Sequence, residues 1–72
     1  MQEIERIEVN PNVCRGKPII KGTRLTIDFI LELLAQGWDY SDICEEYKIE
    51  RADILAVFNY THELFKDEQI FS

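Results

Sequence analysis

Along the first third of the chain the apolar positions alternate. Ile7 and Val9 flank Glu8, which reads as a short strand over Ile4 to Val9 that Asn10-Pro11-Asn12 then breaks. Pro18 opens a second extended piece, Ile19-Ile20, and Lys21-Gly22 predicts a tight turn into Thr23-Arg24-Leu25. At Thr26 the period changes from two to about 3.6, with Ile27, Ile30, Leu31 and Leu34 at i, i+3, i+4 and i+7. That spacing predicts an amphipathic helix. Thr26 caps it, Asp28 suits its first turn, and Gly37 supplies the left-handed residue that ends it.

Asp39-Tyr40-Ser41 offers capping side chains for a second short helix from Asp42 to about Tyr47, with Ile43 and Tyr47 turned inward. Lys48-Ile49-Glu50 forms a three-residue break. A third helix is expected from Arg51 to Phe65, with Ile54, Val57, Phe58, Thr61 and Phe65 on its inner face and Ala52, Asp53, Leu55, Ala56, Asn59, Tyr60 and Glu63 facing outward. Two helices joined by so short a turn, behind a supporting helix, make a tri-helical helix-turn-helix arrangement. The chain therefore reads as mainly α, one domain over 1–72, with a β element and basic loop in 1–25, three helices in 26–65 and a tail in 66–72. No repeat or linker interrupts it.

A chain of 72 residues buries a small share of its surface, about 60%. Cys14 and Cys44 match neither a disulfide framework nor a zinc spacing, so no staple is expected and self-association is. The thin core and an open strand edge at Ile4 to Val9 point to a homodimer. The start, MQEIERIEVN, resembles neither a signal nor a transit peptide, and no uncharged stretch is long enough to cross a membrane. With two unpaired thiols, the cytoplasm is the expected compartment.

Charge is unevenly spread over the net total of −6. Arg15, Lys17, Lys21 and Arg24 lie in a stretch without acids, whereas Asp28 to Ser72 holds eleven acids against Lys48, Arg51 and Lys66. A protein that coats nucleic acid would be basic overall, and this one is acidic. The basic string has two readings that the sequence leaves open: it grips phosphates, with Arg24 adding a directed contact, or it pairs internally with Glu32, Glu45 or Glu46. Asn59 is the candidate base-edge reader on the third helix, with Arg51 beside it. Leu55 and Tyr60 suit a protein partner better than a DNA groove.

Other constellations reduce to structure. Gly16-Lys17 fails the phosphate-loop pattern because Pro18 follows, and Gly16 and Gly22 read as turn glycines. His62 is the only histidine and has no ligand or base at a useful spacing, so neither a metal, a cofactor nor an enzyme activity is expected. Trp38 is expected to cover the end of the core between the first two helices, the other reading being an exposed partner anchor. The tail ends in Ile70-Phe71 after Asp67-Glu68, a pair that either inserts into a basic partner or folds back on Ile7, Val9 or a dimer mate.

The run Gly16-Lys17-Pro18-Ile19-Ile20-Lys21-Gly22-Thr23-Arg24-Leu25, followed by Ile30 through Trp38, resembles the bacterial family labelled domain of unknown function 433, which is antitoxin-like, of the VapB type. The similarity continues through Ile43, Glu45, Glu46 and Tyr47 to Asp53-Ile54 and Ala56. It implies a homeodomain-like or winged-helix-like fold and a role in a type II toxin-antitoxin system, bound to a PIN-type ribonuclease toxin and to operator DNA. The runner-up is a protein-binding scaffold that touches no DNA. One departure from the family pattern is Glu50, where Thr or Ser commonly caps the third helix, and it predicts a weakened helix start.

Overall fold

The computed structural model describes residues 6–66 and has the element order β1 (Ile7–Glu8), β2 (Ile19–Ile20), α1 (Ile27–Ala35), α2 (Tyr40–Tyr47) and α3 (Arg51–Phe65). The mainly helical architecture with a small β element is as expected. β1 pairs antiparallel with β2 in the register Ile7 to Ile20 and Glu8 to Ile19. The strand is shorter than the expected Ile4 to Val9, and residues 4 and 5 lie outside the described residues.

Beyond β2 the chain turns tightly. Thr23 N–H donates to Ile20 O at 3.0 Å, and Gly22 sits at φ +82°, the left-handed third residue that a type II turn requires. The Thr23 hydroxyl donates to Ile20 O and accepts from Leu25 N–H, so one side chain locks both ends of the turn. A bridge from Ile19 to Thr26 then delivers the chain into α1.

The helix ends follow local chemistry. Thr26 Oγ1 accepts from Phe29 N–H at 3.0 Å. At the other end Trp38 N–H reaches Leu33 O and Gly37 N–H reaches Leu34 O, a Schellman closure with Gly37 at φ +101°. α2 begins at Tyr40, two residues before the expected Asp42, because the Asp42 carboxylate reaches back to Asp39 N–H at 3.2 Å. It ends on Lys48 in the left-handed region, with Ile49 N–H on Cys44 O. The turn to α3 is the expected three residues.

At the start of α3 Glu50 makes no side-chain cap hydrogen bond, as its departure from Thr or Ser predicts, but a different side chain secures this end. The Asp53 carboxylate, at the third helical position, accepts Glu50 N–H at 2.9 Å and so ties the residue before the helix to its first turn.

The core joins Ile20, Ile27, Ile30, Leu33, Ile43, Ile49, Ile54 and Val57. Three assignments change. Leu33 and Ile49 are buried although neither was placed in the core by periodicity, since Ile49 sits in a turn that folds back over the helices. Asp53 and Ala56 are buried rather than outward, and Phe58 and Phe65 are exposed rather than inward. The reason is that α3 packs on α1, α2 and β1 together, which rotates its buried face toward the small Ala56. Trp38 is half-buried against the core, 6.2 Å from the Tyr47 ring, which in turn meets Phe29 edge-on at 5.5 Å. It closes the α1–α2 end, as expected.

Candidate macromolecular interface

Two surfaces collect the residues singled out by the sequence. The first is the loop system that surrounds β2. Cys14, Arg15 and Gly16 take three consecutive positive φ values, 49°, 59° and 80°, in a left-handed turn closed by Gly16 N–H on Val13 O and Lys17 N–H on Cys14 O. The Cys14 thiol donates to Arg24 O at 3.5 Å and ties this turn to the segment between β2 and α1. Arg15, Lys17, Lys21 and Arg24 are all exposed. Among the described residues none of them pairs with Glu32, Glu45 or Glu46, so the internal-pairing reading of the basic string is not what the fold does.

The second surface is the outer face of α3. Leu55, Phe58, Asn59 and His62 are exposed there, with Arg51 one turn before Leu55. Arg51 does more than point outward: its guanidinium carbon stands 4.7 Å over the Tyr40 ring at the start of α2, and Tyr40 lies 6.0 Å from Phe58. A cation, two aromatic rings and an aliphatic side chain are thus assembled from two helices. The sequence reading named Arg51 and Leu55 but missed Tyr40 and Phe58. The available signal was a tyrosine at the first position of α2, eleven residues before the start of α3, too weak to interpret without a tertiary contact.

Tyr60 does not join this cluster. It is half-buried against the core and lines a groove on the other side of α3, because five helical residues rotate it about 140° from Leu55. Ile70 and Phe71 lie outside the described residues.

The acidic side of the molecule has its own organising contact. Arg6, just ahead of β1, donates to Asp53 Oδ1 at 3.0 Å and to Glu50 Oε1 at 3.2 Å, so the carboxylates at the head of α3 are engaged rather than presented to a ligand. These hydrogen bonds, that to Asp53 foremost, raise the Arg6 guanidinium above its usual value. Burial pushes the Cys44 thiol up as well, with the Asp53 charge adding to the effect and Arg51 opposing it. No helix among the described residues is long and apolar enough to cross a membrane, and no three His, Cys, Asp or Glu side chains among them converge as a metal site.

No curated protein matches the chain. A crystal structure of a DUF433 member protein from Anabaena variabilis superposes with a TM-score of 0.76 at 23% identity, over 88% of this chain and 62% of that one. At that identity the likeness speaks for the fold, and this chain spans less than two thirds of the other protein's length. The family model described as protein of unknown function DUF433 matches residues 7–61, which runs from β1 through most of α3. The chain belongs to the DUF433 family.

Proposed function

We propose that this protein is a binding module rather than an enzyme, an antitoxin-like partner of a PIN-type ribonuclease toxin that docks through the outer face of α3. The observation that carries the reading is the Arg51–Tyr40–Phe58–Leu55 cluster. Arginine and aromatic side chains dominate the energetics of protein interfaces, and here they are held in place before any partner arrives. Stacking of the Arg51 cation on Tyr40 reduces the ordering cost that a flexible arginine would bring to binding. Leu55 and Phe58 add apolar area that a nucleic-acid groove has little use for. The choice of toxin class rests on the resemblance of the 16–38 region to antitoxin-like sequences.

The test is binding of the purified chain to a PIN-type nuclease encoded in the same genome, measured by calorimetry. Leu55→Ala and Phe58→Ala are each expected to weaken binding about tenfold or more, near 1.4 kcal/mol, with the helix content unchanged. Full affinity in the double variant would sink the reading.

A second reading has one specific observation behind it: the four exposed cations around β2 have no acidic partner among the helical glutamates that were candidates for pairing. Their exposure supports a role in contacting phosphates of operator DNA, with α3 left to the protein partner. The two roles occupy different elements and are compatible in one molecule.

A further inference from the structure

From the docking reading above, on which this rests, we infer that the outer face of α3 receives an amphipathic helix of the partner protein. That helix lies lengthwise and antiparallel to α3, with a carboxylate of its last turn on Arg51. Arg51, Leu55, Phe58 and His62 are all exposed and follow one another at steps of four, three and four residues. At about 100° per residue they stay within about 60° of one another around α3 and run along about 16 Å of it. A straight line of side chains at this spacing is the surface with which a second helix interlocks at a shallow crossing angle; a strand or loop laid across it would meet only part of it. The line is distinct from the buried stripe of Ile54 and Val57, which lies about 100° farther round the helix.

Charge decides which helix. The Arg51 guanidinium carbon stands 4.7 Å over the Tyr40 ring, and no carboxylate among the described residues pairs with it. The acids nearest in sequence, Glu50 and Asp53, are engaged by Arg6. An arginine covered without a carboxylate keeps N–H groups unsatisfied, so an occupant that buries this face supplies one. A second copy does not supply it from the same line. Antiparallel pairing of two such lines brings His62 to Arg51, parallel pairing brings Arg51 to Arg51, and Glu63 beside the line already pairs with Lys66 at 3.0 Å. A helix of another protein, apolar toward Leu55 and Phe58 and acidic toward Arg51, matches the face. Antiparallel packing also sets the negative, carbonyl end of that helix against the Arg51 cation.

Fluorescence anisotropy on the full chain tests this with a labelled, alanine-rich peptide of three heptads, carrying leucines at the same spacing and a glutamate in its last turn. The wild type is expected to bind it, and Phe58→Asp to lose about tenfold or more in affinity with helix content unchanged by circular dichroism. The same peptide with its leucines moved to alternate residues is expected not to bind. Arg51→Glu is expected to weaken binding about tenfold, and lysine in place of the peptide's glutamate to restore it, a rescue that a structural role for Arg51 would not give. No binding to the wild type, equal affinity for the respaced peptide or failure of the rescue overturns the proposal. So does a dimer in sedimentation velocity that Phe58→Asp abolishes, since a second copy is then the occupant. Peptide binding that tightens in Ile70→Asp with Phe71→Asp overturns it too, because the face then belongs to the chain's own tail. The PIN-type nuclease is titrated separately. A nuclease that fails to bind while the helical peptide binds ends the toxin assignment alone, whereas a nuclease that binds while the peptide does not overturns the helical mode alone.

Discussion

Asp53 holds Arg6 with one carboxylate oxygen, at 3.0 Å, and the backbone N–H of Glu50 with the other, at 2.9 Å. One side chain therefore starts α3 and fastens the segment leading into β1 to it, joining the two ends of the described fold across 47 positions of sequence. The carboxylate is mostly buried, 13% exposed, and both of its oxygens are satisfied. Asp53→Ala removes the cap and the anchor together and is expected to cost about 1–2 kcal/mol of stability in urea or thermal unfolding. Arg6→Ala, at a half-buried position, is expected to cost less. A double variant no worse than Asp53→Ala alone would establish that Arg6 acts through Asp53, whereas additive losses would separate them.

Lys48 ends α2 at φ 58° and ψ 45°, where glycine usually stands. A side chain in that region costs about 1–2 kcal/mol, against which the extra unfolded-state entropy of glycine is about 0.5–1 kcal/mol. Lys48→Gly is accordingly expected to raise the melting temperature by a few degrees. A lower melting temperature would mean that the lysine side chain makes a compensating contact.

Gly22 sits in open space, with nothing within 4 Å of the position a Cβ would occupy, so Gly22→Ala meets no steric neighbour. Its φ of +82° remains unfavourable for alanine. The expected loss is about 1 kcal/mol, from backbone strain alone. If the turn instead relaxed without loss, the Thr23 hydroxyl would be carrying the turn by itself.

Cys44 titrates above the usual thiol value, 9.0, because burial disfavours its thiolate. The unfolded chain releases this proton first, so the contribution is fully present below the ordinary thiol pKa and declines as pH rises through the raised value. Between wild type and Cys44→Ala, the stability difference is therefore expected to shift against the wild type above that pH. Alkylation by iodoacetamide at pH 8 is expected to be slower at Cys44 in the folded protein than in urea. Equal rates would contradict the burial.

If DNA is bound, its electrostatics fall to the loops around β2. Lys21→Ala with Arg24→Ala is expected to reduce affinity about equally across sequences and to flatten the salt slope by about one or two units. Unchanged binding would transfer the contact to Arg51 and Asn59 on α3.

What the sequence determined by itself was local. The change of period at Thr26, the Lys21-Gly22 turn, the Gly37 stop and the three-residue break before Arg51 each depend on residues within a turn or two of one another, and propensity and capping act over that distance. The string from Gly16 to Arg24 likewise announced the family. Tertiary structure decided which way α3 faces. Apolar residues lie on several sides of that helix, so its periodicity did not choose between burying Phe58 and burying Ala56, and only packing against α1, α2 and β1 did. It decided also that Asp53 is an internal anchor rather than an outward charge, because its partner Arg6 is remote in sequence. The meeting of Arg51, Tyr40 and Phe58 is of the same kind: three unremarkable residues become one surface when two helices cross, and no spacing along the chain encodes a contact between side chains on different elements.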